Sequence, residues 1–132
     1  MSHALTTRGV TASLCLPGQP DRTVIALLRH SPADPAVLRV VLLLDSDPVE
    51  PLELRFDRAL LTAGLAAPVR GGDLAVSIAG PTAVLEAGPL TVLLGLEDLI
   101  GVLLESYAAV PTEVGHDLVI NLTATAQQLA RS

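Results

Sequence analysis

The chain predicts a single α/β domain of the α+β type, built from about seven mainly antiparallel strands and two to three packed helices. Short apolar runs, alternating or continuous, recur between Pro/Gly/Asp turns through the first two-thirds of the sequence. Leu96, Leu99, Ile100, Leu103, Leu104 and Tyr107 then repeat at i, i+3, i+4, i+7, i+8 and i+11, the apolar stripe of a helix. The length of 132 residues fits one domain, since domains usually run about 100 to 200 residues and bury roughly two-thirds of their unfolded surface at this size. We assign 1–9 to a flexible N-terminus and 10–132 to the domain.

Val10, Ala12, Leu14 and Leu16 alternate with Thr11, Ser13 and Cys15, giving a first strand that ends at the turn from Pro17 to Asp21. Residues 23–29 pair back as a hairpin. Residues 37–44 are almost continuously apolar, the mark of a strand covered on both faces, with Arg39 reaching water along its own stem. After the Asp45-Ser46-Asp47-Pro48 turn, Leu52, Leu54 and Phe56 alternate with Glu53 and Arg55 as a returning antiparallel strand. Asp57 stands at the N-cap and Gly64 at the C′ position of a helix of about two turns. That is below the ~12 to 15 residues an isolated helix needs, so burial of Leu60, Leu61 and Leu65 has to hold it. A loop at 68–72 leads to three more strands, 74–79, 82–87 and 90–94. The striped helix from Leu96 follows, and a last helix is expected from Asn121 to Ala130 beyond Pro111. No internal repeat is visible.

Composition removes several functions. All eight basic residues are Arg, spread along a chain of net charge −6, which disfavours a phosphate backbone because nucleic-acid affinity needs clustered cations. Cys15 is the single cysteine, so no intramolecular disulfide forms and a reducing setting fits. Residues 1–9 lack a signal-peptide core and no run reaches the ~18 apolar residues of a membrane span, so a cytoplasmic protein is expected.

Candidate chemistry is sparse, and an enzyme is not expected. Asp45, Asp47, Glu50 and Glu53 suggest a cation loop, but Glu50 and Phe56 stand where such a loop needs Gly and Glu. His3, His30 and His116 have no ligand at metal-like spacing, and no Gly-x-Ser-x-Gly elbow exists. Gly71-Gly72-Asp73 precedes a strand, whereas phosphate loops precede a helix. No catalytic residue, cofactor or metal is assigned. The Leu96 helix is the one feature with a second use: Leu96, Leu99, Ile100, Val102, Leu103 and Tyr107 are expected to pack on the sheet and are offered as contacts for an oligomer or partner.

Three segments carry a family resemblance. Phe56-Asp57-Arg58-Ala59-Leu60-Leu61-Thr62-Ala63-Gly64-Leu65, with Pro68 and Gly72-Asp73-Leu74-Ala75-Val76 after it, resembles the SsgA-like sporulation and cell-division proteins of actinomycetes. Ala33-Asp34-Pro35-Ala36-Val37 and the exit Ala108-Ala109-Val110-Pro111 are similar to that family's matching segments, in the same order. The resemblance implies a curved antiparallel sheet with packed helices, a Whirly-like fold and a homotrimer. It implies a non-enzymatic adaptor that controls septum placement or formation, recruited to division septa and engaging FtsZ, an SsgA-like paralogue or cell-wall machinery. The alternative is a single-stranded nucleic-acid-binding protein of Whirly-like fold, which lacks the expected basic groove and stacking aromatics.

Overall fold

The short apolar runs become strands, eight in all, in the computed structural model, which describes residues 5–44 and 51–110. They are β1 (Thr6–Cys15), β2 (Arg22–His30), β3 (Val37–Leu43), β4 (Pro51–Asp57), β5 (Val69–Gly71), β6 (Leu74–Ala79), β7 (Thr82–Ala87) and β8 (Leu90–Gly95). Two helices, α1 (Arg58–Ala66) and α2 (Leu96–Ala109), follow β4 and β8. The strands form one antiparallel sheet in the order β4-β3-β2-β1-β8-β7-β6-β5. Four strands and a helix therefore occur twice in tandem, an architectural repeat that leaves no trace in the sequence. Only three residue pairs, Ser13–Leu93, Leu14–Val92 and Cys15–Thr91, join the halves across β1 and β8.

The sheet has to curl. Laid flat, eight strands at ~4.8 Å spacing would set β4 and β5 about 33 Å apart, yet α1 touches β4, β5 and β6. A helix of nine residues is only about 13 Å long, so the two sheet edges are drawn together and α1 closes the gap. The concave face is filled by α2, which packs on β1, β2, β7 and β8. Inward residues such as Leu28, Val40, Phe56, Leu85 and Val92 meet Leu99, Ile100 and Leu103 of α2 in one core, all at 0–1 % exposure.

The helical spacing at 96–107 and seven of the strands lie where the sequence predicts them. The eighth, β5, falls within the expected loop: three residues rich in turn chemistry become a strand only by pairing with β6, from Val69–Val76 to Gly71–Leu74, through a Gly72 turn at φ +62°. β1 starts at Thr6, so Thr6 to Gly9 are paired to β2 instead of forming a flexible arm. Arg39 is half-buried with its side chain 36 % exposed, and on the same face of its strand Val41 is buried while Val37 and Leu43 are half-buried.

Gly64 needs correction. It is not the C′ residue, since α1 runs on to Ala66 and ends at Ala67. It is a buried glycine of the helix interior, where an added Cβ would run into Cγ1 and Cβ of Val76. Its missing side chain lets the helix touch β6. Asp57 does occupy the N-cap but makes no side-chain cap bond; the Ala36 carbonyl accepts from Arg58 N–H at 2.7 Å instead. Leu61 is fully buried, while Leu60 and Leu65 are half-buried. The expected helix at 121–130 and the acidic residues Asp45, Asp47 and Glu50 lie outside the described residues.

Candidate functional site

The α2 stripe is consumed inside the protomer. Leu96, Leu99, Ile100, Val102, Leu103 and Tyr107 are all 0–3 % exposed, so their packing on the sheet leaves no area for a second subunit. Their expected second use as partner contacts is therefore corrected: these six side chains are buried within the protomer, while Glu97, Glu105, Ala108 and Ala109 hold the exposed side of the helix. Even Gly101 is covered, by the Arg8 guanidinium, which reaches Glu105 at 3.1 Å and Asp98 at 3.9 Å.

Chemistry concentrates elsewhere, where α1 meets the end of α2. The buried polar residues of the described chain are His30, Arg58, Thr62 and Ser106, at 0–7 % exposure. Arg58 begins α1 and points across to α2, where its Nη1 donates to the Ser106 carbonyl at 3.0 Å and the Val110 carbonyl at 2.9 Å. These carbonyls belong to the last turn of α2, whose partial negative charge favours a cation. The guanidinium carbon also sits 4.1 Å from the centroid of the Tyr107 ring. Burial pulls the guanidinium below its ordinary pKa, and Tyr107 opposes that shift.

The surrounding groups complete the latch. Thr62 Oγ1 donates to the Arg58 carbonyl at 2.8 Å, so the Tyr107 hydroxyl must be the donor in its 2.8 Å contact with Thr62 Oγ1. Ser106 Oγ donates back to the Leu103 carbonyl at 2.8 Å. His30 is fully buried, and its Nε2 lies 3.0 Å from the Pro35 carbonyl. In the neutral ring that bond places the proton on Nε2, leaving Nδ1 without a partner among the described residues. Burial therefore lowers the His30 pKa, and Arg58 lowers it further against the raising effects of the Pro35 carbonyl and Asp34. The cluster's donors are spent mostly on backbone carbonyls, so its chemistry is that of holding two helices and a loop together.

All three segments that carry the resemblance meet here. Ala33 to Val37 supplies the carbonyls for His30 and the Arg58 N–H, Phe56 to Leu65 supplies Arg58 and Thr62, and the α2 exit supplies Val110. Sequence reading missed Arg58 because only the fold brings these distant segments together. Among the described residues no group of three or more His, Cys, Asp or Glu could hold a metal ion, and no helix is long and apolar enough to cross a membrane. Glu53, the described member of the acidic cluster, pairs with Arg39 at 3.5 Å and Arg55 at 3.7 Å. Cys15 is a half-buried strand residue whose thiol pKa is raised, first by burial and then by Asp21.

No protein-family model and no curated protein matches the chain. Solved structures do. An SsgA-like sporulation-specific cell-division protein from Thermobifida fusca is similar at TM-score 0.73 and 22% identity, covering 97% of this chain and 98% of that one. SsgB from Streptomyces coelicolor, in which mutations correlate with longitudinal cell division during sporulation, is similar at TM-score 0.70 and 25% identity, covering 89% of this chain and 99% of that one. The curled sheet, its two helices and the motif segments that meet at Arg58 give this chain the fold of the SsgA-like cell-division proteins, the family its sequence resembles.

Proposed function

We propose that the protein is a non-enzymatic adaptor in septum placement or formation during sporulation-type cell division, working through protein–protein contacts in the cytoplasm and at septa. The supporting observation is the shared fold over nearly the whole chain with two sporulation cell-division proteins. The latch favours a scaffold, since its polar groups are turned inward and bonded to backbone. Division or cell-wall proteins, FtsZ or an SsgA-like paralogue among them, are the partners this reading implies. A homotrimer remains part of the proposal, formed through surfaces other than the buried α2 stripe. The nucleic-acid alternative gains nothing, because Phe56 and Tyr107, the chain's two aromatics, are 0 % and 3 % exposed and offer no base a platform.

Deleting the gene in the native host and counting septa per cell length tests the reading. Missing or misplaced septa, restored by the wild-type gene, are expected. Normal septation in the deletion strain would overturn it, and sedimentation of the pure protein as a monomer at micromolar concentration would remove the trimer.

A further inference from the structure

The arginines that are scattered along the sequence are not scattered in space. Arg29 of β2 faces Arg39 of β3, and Arg39 faces Arg55 of β4, so three guanidinium groups form one row across three strands. The row lies on the convex side, because the neighbours Leu28, Leu38, Leu54 and Phe56 point into the core. Like charges directly opposite one another in a sheet are destabilising. Glu53 relieves only part of this by bridging Arg39 and Arg55, and Arg29 has no carboxylate within 4 Å among the described residues. Asp57 lies two residues beyond Arg55 and pairs across to Val37, without an ion pair to the row.

Beside the row the convex face turns apolar on β2 and β3, while β4 carries Glu53 there. Two residues along the strands lie half-buried Leu27 and buried Val41, the latter 8 % exposed and facing Glu53 of β4, and two further on lie Ile25 and half-buried Leu43. Ile25 is 48 % exposed, one of the two large exposed hydrophobics among the described residues. Each step is about 6.7 Å, the advance of two extended residues. An extended segment lying along the strands would therefore set its residues i, i+2 and i+4 over the arginine row, the Leu27/Val41 row and the Ile25/Leu43 row in turn.

From this register we infer that the convex face of β2, β3 and β4 is a docking surface for an extended segment of a partner protein, with the pattern acid-x-apolar-x-apolar. Charge complementarity selects the acid. The two apolar rows select the leucine-like residues at the second and fourth positions beyond it, and the absence of an exposed aromatic disfavours a nucleic acid strand on the same arginines. Such binding stands or falls separately from the role in septation.

An amide NMR titration of the isotope-labelled full chain tests it. The probe is a short peptide with one glutamate followed, two and four residues later, by leucine; the controls are the same peptide with lysine for glutamate and an oligothymidine strand. Shift changes confined to the three rows are expected with the glutamate peptide, weaker in salt of about 1 M, where the screening length falls to ~3 Å. Arg39→Gln with Arg55→Gln should weaken binding about fivefold to tenfold, and Ile25→Ser should weaken it too. No shifts with the glutamate peptide, equal shifts with the lysine peptide, tighter binding of oligothymidine, or unchanged affinity in the arginine variant would each overturn the inference. The three wild-type titrations decide even where a variant fails to fold.

Discussion

Replacing Arg58 with Ala should loosen the whole domain from one end. The substitution removes a donor to two carbonyls of the last turn of α2, at 3.0 and 2.9 Å, and a cation 4.1 Å from the Tyr107 ring. A hydrogen bond from a charged group contributes about 1.5 to 3 kcal/mol, and a cation over an aromatic ring roughly 0.5 to 2. Against this, the variant no longer has to strip a guanidinium of water, which offsets part of the loss. A net destabilisation of about 2 to 4 kcal/mol follows, or roughly 8 to 16 °C in Tm for a domain of this size. With no Trp in the chain, urea unfolding followed by far-ultraviolet circular dichroism is the suitable assay, with the m-value checking that the unfolded state is unchanged. Arg58→Lys keeps the charge but loses the planar fork and should recover about half of the difference. A loss below about 1 kcal/mol in the Ala variant, the size expected of a surface pair, would refute the latch.

Three other substitutions probe separate parts of the fold. Gly64→Ala should cost more than about 1 kcal/mol despite the gain in helix propensity, because its Cβ would meet Val76 side-chain atoms fixed in the core; a rise in melting temperature would contradict the close approach. Leu61→Ala, at a fully buried site, should cost about 2 to 5 kcal/mol, and an unchanged urea midpoint would contradict the packing of α1. His30 is held below its ordinary pKa, chiefly by burial. The unfolded chain therefore takes up a proton near pH ~6.5 while the folded chain does not. Stability from this group is full above that pH and falls as pH drops through it towards the folded value. Against the wild type, His30→Gln should flatten the stability profile below pH ~6.5, and parallel profiles would contradict the shift.

Local pattern was enough for most elements. Residues 10–16 alternate because one side of the strand is buried, residues 23–29 read as a strand from their Val- and Ile-rich apolar run, and the Leu96 stripe is helical because one face packs inward. Global features were not legible. Whether the stripe keeps a free side depends on how far the sheet curls, and the curl depends on α1 joining edges that lie at opposite ends of the strand order. β5 has no pattern of its own and exists through its pairing with β6. The same holds for the candidate sites. Arg58 stands inside a recognisable motif, yet its carbonyl partners are 48 and 52 residues away in the chain. Arg29, Arg39 and Arg55 look evenly dispersed until the register of β2, β3 and β4 sets them opposite one another.

Septal recruitment is the most direct measure of the proposed role. A fluorescent fusion that complements the deletion strain, followed by time-lapse microscopy in the dividing native host, should concentrate at nascent septa before constriction. The Arg39→Gln, Arg55→Gln variant, expressed at the same level, should remain dispersed if the convex face makes the contact. Wild-type fluorescence that stays uniform through every septation event would contradict the adaptor role itself.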